Sequence, residues 1–156
     1  EKTYTGTIKL DATTPTYDLE SEENKAFSIE HLTEEMIQAT TKQFIGEIEQ
    51  FPPMHSAIKV DGKRLYELAR EGQEIERKAR KITIHNFKIT KIDLPYVDFE
   101  VICSKGTYIR SLAFDFGKAM NVGGYLTALR RTKIGDFDVI NSENLALEKS
   151  YFEETL

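Results

Sequence analysis

Hydrophobic and polar positions alternate most cleanly in two stretches. In KTYTGTIKL, Thr3, Thr5 and Thr7 alternate with Tyr4, Gly6 and Ile8. In VDFEVIC, Val97, Phe99, Val101 and Cys103 fall on one side. A period of two is that of a strand with one buried face. RKARKITIHNFKITKI reads as a third strand, but its apolar phase changes from Ile82 and Ile84 to Phe87 and Ile89. A bulge near His85-Asn86 accounts for the change. Helical spacing appears at Ile109, Leu112, Ala113, Phe116 and Met120, and NVGG then breaks the helix. An earlier helix is capped by Thr33, with Glu34 and Glu35 in its first turn and Leu32 stapled to Ile37. Met36, Ile37, Phe44 and Ile45 form its expected buried stripe, and Gly46 its expected C′ residue.

The remaining stretches are less periodic. Asp11 to Phe27 is polar and turn-rich, hence a loop or long excursion. FPPMHS is extended and stiffened by proline. AIKVDGKRL predicts a hairpin turned on Asp61-Gly62, and LYELAREG a short helix stopped by Gly72. YLTALRRTKIGDFDV predicts one extended strand carrying Arg130, Arg131 and Lys133. Residues 142–156 are polar and predicted helical. Strands and helices interleave without regular βαβ spacing, which predicts an α+β fold: a mixed, mostly antiparallel sheet with flanking helices. One domain over residues 1–156 is expected, with about 143–156 as a polar tail. The first strand starts at residue 2 of a chain without an initiating Met. The expectation is that an upstream part has been cut away.

Composition adds bounds. The chain has 156 residues, enough for one domain with a real core, and its 40% hydrophobic and 30% charged content is that of an ordinary globular protein. No apolar run approaches the roughly 18 residues of a membrane span. A single cysteine, Cys103, excludes an internal disulfide framework and fits a reducing cytosol. His31, His55 and His85 are scattered, so no metal site is expected. The net charge of −5 is unevenly spread. Residues 1–50 hold four Lys/Arg against eleven Asp/Glu, whereas residues 59–91 hold ten Lys/Arg against five Asp/Glu. The middle is a basic island in an acidic chain, which reads equally as a solvated surface or as a contact for an anionic partner.

No P-loop, dinucleotide fingerprint or zinc motif is present, and no serine lies in an elbow near a histidine. The chemistry that remains is aromatic and basic: Tyr4, Tyr66, Tyr108 and Tyr125 with Lys59, Lys63, Arg64, Arg70, Arg110, Arg130 and Arg131. Such interleaving suits RNA with splayed, stacked bases. In SKGTYIRSLAFDFG a Gly-containing turn joins a strand to a helix, and Tyr108 and Arg110 sit at the junction. As an isolated tripeptide this reads first as a surface ion pair beside a half-buried ring.

Four strings in order change that reading. PPMHSAIKVDGKRLYELAREG, ARKITI, CSKGTYIRSLAFDFG and GGYLTALRRTKIG together resemble the bacterial tRNA pseudouridine-55 synthase (TruB) family. KTYTGTIKL with TPTYD resembles that family's strand after its catalytic segment. The resemblance runs from Lys2 to about Leu147 and implies a pseudouridine synthase fold, incomplete at its N-terminus. It implies a cytoplasmic isomerase that converts uridine to pseudouridine in the T-loop of tRNA, without metal or organic cofactor and without an obligate protein partner. A catalytic Asp attacks the flipped uridine, and the uracil is reattached through carbon.

By the same resemblance, Tyr4 stacks on the uracil and assists proton transfer. Tyr108 is a second aromatic wall, Arg110 pairs with the catalytic Asp, and Leu129 lines the pocket. Asp18 is an acidic residue near the RNA. Lys59, Lys63, Arg64, Arg70, Arg130 and Arg131 are expected to face phosphates. Two departures stand out. The family's GHTGxLDP-like motif with the nucleophile is absent, and neither Asp11, Asp18 nor Asp115 matches it. Arg110 is therefore expected to meet no carboxylate, and the chain to be inactive alone. His55 stands where the family has Tyr. A non-catalytic RNA-binding module and a purely structural assembly domain are the alternatives.

Overall fold

The alternating stretches become the middle of one sheet. The computed structural model describes residues 1–52 and 79–132, and the backbone of 59–60, 63–64, 133–134 and 137–138. In chain order the elements are β1 (Lys2–Lys9), β2 (Ala12–Thr13), β3 (Lys25–Ala26), α1 (Glu34–Thr41), a 3-10 turn (Lys42–Phe44) and β4 (Gly46–Gln50). Then come β5 (Lys59–Val60), β6 (Lys63–Arg64), β7 (Arg80–Asp93), β8 (Tyr96–Cys103), α2 (Ile109–Ala119), β9 (Tyr125–Ile134) and β10 (Phe137–Asp138). Six strands form a sheet in the order β10-β9-β1-β8-β7-β4. Every pairing in it among the described residues is antiparallel. The expected α+β architecture is present.

β1 lies between β8 and β9. Tyr4, Gly6 and Ile8 oppose Val101, Phe99 and Val97. Their shared face is buried, because strand residues two apart point the same way. Gly6 has a steric reason to be glycine: a Cβ there would lie 2.4 Å from the Ala128 carbonyl oxygen and 2.9 Å from the Phe99 ring. The expected bulge in β7 is real, since the register to β8 shifts between Ile84 and Asn86. A second shift lies between Ile89 and Lys91.

One face of the sheet packs on α1 and α2. Ile37 of α1 and Leu112 and Phe116 of α2 join Phe87, Phe99 and Val101 in one buried cluster. The ring of Phe87 meets Phe99 and Phe116 edge to face, at 5.9 and 5.3 Å between centroids. Each such fully buried side chain contributes about 1.5–3 kcal/mol. Among the described residues no helix is long and apolar enough to cross a membrane.

Three sequence expectations need correction. The Thr33 cap holds, accepting the Met36 N–H at 3.1 Å, but the helix ends at Thr41 and a 3-10 turn follows. Thr40 and Thr41 turn their hydroxyls back onto the carbonyls of Met36 and Gln38, both at 2.7 Å, in the way that weakens a helix end. The stripe is correspondingly narrower: Ile37 is fully buried, whereas Met36 and Ile45 are 36% and 42% exposed. Second, Gly46, at φ +109°, opens β4, a strand hidden in GEIEQ by its single apolar residue. Third, the last strand is a hairpin, because β10 returns on β9 with Phe137 opposite Ile134. Gly135 and Asp136, both turn formers, lie between them in sequence. The Asp61-Gly62 hairpin is present as β5 and β6, with Lys59 opposite Arg64. The LYELAREG helix, residues 53–56 of FPPMHS and the polar tail lie outside the described residues.

Candidate uridine-binding site

The junction read as SKGTYIR is a tight, internally bonded turn. Ser104 and Thr83 exchange two hydrogen bonds: the Ser104 N–H donates to the Thr83 carbonyl, and the Thr83 N–H donates to Ser104 Oγ, each at 2.9 Å. Gly106, at φ +87°, takes the left-handed step that a side chain would resist. Tyr108 is the N-cap of α2 but supplies no side-chain cap. Gln50 instead accepts the Tyr108 N–H at 2.9 Å and donates to the Tyr108 carbonyl at 3.2 Å. The Tyr108 hydroxyl accepts from Arg80 Nη1 at 3.0 Å. Burial raises the Tyr108 pKa, and the Arg80 contact works against that rise. One turn on, Ser111 donates to the Phe51 carbonyl at 2.8 Å.

Arg110 does not lack a carboxylate, contrary to the expectation from sequence. Its Nη1 lies 3.6 Å from Asp18 Oδ2 and donates to the Thr16 carbonyl at 3.3 Å. Arg110 and Asp18 are 5% and 3% exposed, so this pair is buried. A guanidinium taken out of water needs such a counter-charge. Burial lowers the Arg110 pKa, and Asp18 and Glu20 oppose that effect. Asp18 is itself held, with Oδ1 accepting from Thr16 Oγ1 at 2.6 Å and from the Glu20 N–H at 2.9 Å. Thr14 Oγ1 accepts the Asp18 N–H and donates to the Asp18 carbonyl. Tyr17 stacks on Phe114 of α2 at 4.3 Å, and its carbonyl accepts from the Leu126 N–H at 2.9 Å. The segment from Asp11 to Phe27 is a long excursion, as expected, and it is clipped to α2 and β9. The Thr14, Thr16, Asp18 alternation was its trace in the sequence.

Tyr4 and Leu129 come together on the helix-covered face. β9 pairs with β1 through two register shifts, and the skipped residues Thr127 and Thr132 each donate a hydroxyl to a β1 carbonyl, at 3.3 Å. The resulting register sets Leu129 opposite Gly6 and Arg131 opposite Tyr4. Directly opposed residues share a face, so Arg131 lies on the side of Tyr4 and Leu129. Arg130, opposite Thr5, lies on the other side and is exposed. The two arginines thus do not form one phosphate-facing surface. Arg130 instead borders a shallow groove of about 360 Å³ with Thr5, Thr7 and Asp98.

Tyr4, Tyr108 and Leu129 are 1%, 1% and 0% exposed, so none of the three is open to a ligand in this structure. Tyr4 and Leu129 share their buried cluster with Ile109 and Leu112 of α2. The side chains of Lys59, Lys63 and Arg64, and the whole of His55, Tyr66 and Arg70, lie outside the described residues. Gln50 and Arg80 escaped the sequence reading: Gln50 is a polar residue ending an unrecognised strand, and Arg80 one cation among many.

Residues 1–109 match a family model described as TruB family pseudouridylate synthase (N terminal domain). The chain belongs to this family. It is 61% identical over 155 residues to tRNA pseudouridine synthase B of Flavobacterium johnsoniae, covering 99% of the chain and 66% of that protein. It is 50% identical over 135 residues to the enzyme of the same name from Bacteroides fragilis, covering 86% of the chain and 58% of that protein. The chain therefore spans less than two thirds of the length of these curated relatives. Among solved structures it resembles a chain in the crystal structure of a Cbf5-Nop10-Gar1 complex, with a TM-score of 0.61 at 28% identity over 88% of this chain and 31% of that one. It shares its fold with a chain in an H/ACA RNP bound to a substrate RNA containing 2'-deoxyuridine, with a TM-score of 0.57 at 24% identity over 88% of this chain and 29% of that one.

Proposed function

We propose that these residues form part of a cytoplasmic tRNA pseudouridine synthase that isomerises the T-loop uridine at position 55. The observation that carries this reading is the buried Arg110–Asp18 pair, which joins GTYIR to TPTYD although the two lie far apart in sequence. A buried cation at a helix start holds a nearby carboxylate ionised, which a nucleophilic aspartate requires.

In this reading the uridine leaves its stack before reaction, because its C5 and C1′ atoms are inaccessible inside a folded stem-loop. Tyr4 stacks on the flipped uracil, Leu129 packs against it and Tyr108 closes the far side. The glycosidic C1′–N1 bond breaks with its electron pair going to N1, the C1′–C5 bond forms, the proton on C5 is lost with help from Tyr4, and N1 takes up a proton from solvent, so that the product is an isomer of the substrate. The attacking carboxylate comes from outside residues 1–156, so this chain alone does not turn over. Asp18 is the standing counter-ion of Arg110 and lies near the RNA. The hairpin cations Lys59, Lys63 and Arg64, together with Arg70, contact backbone phosphates of the T-stem-loop; of the two arginines of β9, which point to opposite faces of the sheet, only Arg131 is on the side of the site to join them. One domain over residues 1–156 carries these parts.

The test uses a T-stem-loop whose uridine carries tritium at C5. A longer protein containing these residues releases tritium, and the 156-residue chain releases none. Salt-dependent binding without release by the longer protein would favour the non-catalytic RNA-binding module.

A further inference from the structure

Gln50 and Arg80 are the last cross-strand pair of β4 and β7, directly opposite one another. Both reach Tyr108. Gln50, 1% exposed, meets it through the backbone, using Oε1 on the N–H and Nε2 on the carbonyl. That carbonyl also accepts the Leu112 N–H at 3.0 Å, the first hydrogen bond of α2. The Gln50 amide thus does for α2, from a neighbouring strand, what a capping-box side chain does from within a helix. Arg80 meets the other end of the residue. Its Nη1 donates to the phenol oxygen, and its guanidinium carbon sits 5.8 Å from the ring centroid. One grip fixes the backbone from which Arg110 projects two residues later, and the other fixes the rotation of the ring.

We propose that Gln50 and Arg80 are positioning residues of the uridine site, Gln50 setting the start of α2 and Arg80 setting the Tyr108 ring. The proposal rests on the reading of this chain as part of a uridine isomerase. A site of this kind loses rate when a reacting group shifts by a fraction of an ångström, while RNA affinity, spread over many phosphates, is little changed. A purely structural Gln50 would affect stability and yield but not the rate of folded enzyme. A purely phosphate-binding Arg80 would affect affinity but not the rate at saturating RNA.

The experiment is single-turnover kinetics at saturating T-stem-loop RNA, in the longer protein containing these residues, with binding and melting measured alongside. Gln50→Leu is expected to lower the saturating rate about tenfold or more, with the RNA dissociation constant within about threefold. Arg80 is exposed, so Arg80→Met leaves the core untouched and serves should Gln50→Leu fail to fold. Arg80→Met is expected to lower the saturating rate severalfold, and to have no further effect in a Tyr108→Phe background that lacks the phenol. Unchanged saturating rates in Arg80→Met and in folded Gln50→Leu overturn the proposal. So does an Arg80→Met effect that persists undiminished in Tyr108→Phe. An inactive unsubstituted protein overturns the isomerase reading, and this proposal with it.

Discussion

Arg110 and Asp18 are interdependent because neither charge is hydrated. Removing one leaves the other buried without its counter-ion, a loss of about 3–5 kcal/mol. Arg110→Met should therefore destabilise the chain strongly in urea, whereas Arg110→Met with Asp18→Asn should recover more than half of that loss. Equal destabilisation of the single and double variants would show that Asp18 is not the partner that matters. Asp115, on α2, behaves differently. Burial pushes its pKa up to about 6, with Lys118 only partly opposing it. Between its ordinary value of 3.8 and about 6 the native state binds more protons than the unfolded state. Stability from this group is then present at low pH and lost as pH rises through about 6, by at most about 3 kcal/mol. Asp115→Asn should raise the urea midpoint at about pH 7.5 and leave it nearly unchanged at about pH 3.5. The difference between the two proteins across that range isolates this group. What sequence could say about these residues depended on distance along the chain. Tyr108 and Arg110 are neighbours in a recognisable string, but no local pattern links Arg110 to Asp18. Gln50 carries no sequence signal, and its part shows only in its two hydrogen bonds to the Tyr108 backbone.

β1, β8 and α2 were legible because each has a clean period and one buried face. β7 was legible even through its bulge, since the phase change at His85-Asn86 is itself a signal. β4 was not, because Glu47 and Glu49 flank one isoleucine and nothing in GEIEQ alternates strongly. The end of α1 was misjudged because side-chain hydroxyls, rather than the glycine, bring it to a close. Gly6 marks a close contact between strands, with β8 and β9 both closing on it. Gly6→Ala should cost more than about 1–3 kcal/mol, because both the Ala128 carbonyl and the Phe99 ring would have to shift. Thermal melting would check this. A variant within about 0.5 kcal/mol of the parent would mean that the sheet yields easily at its centre.

The strand order of the whole molecule was invisible to local patterning, and it is what assembles the site. By setting β1 between β8 and β9, it places Tyr4 beside Leu129 and Arg131 under the helix-covered face, with Arg130 turned to the opposite face. The clipped segment with Asp18 then meets the start of α2 from the side. The residues of the proposed site, a cation, its counter-ion, two aromatic rings and an apolar wall, are each buried. In the proposed reaction the nucleophile is the component it receives from elsewhere in the protein. The most direct measurement is tritium release from a C5-labelled T-stem-loop, comparing the 156-residue chain with a longer protein that also carries the family's aspartate motif. Release by the longer protein and none by the 156 residues is the predicted result; turnover by the 156-residue chain itself would contradict it.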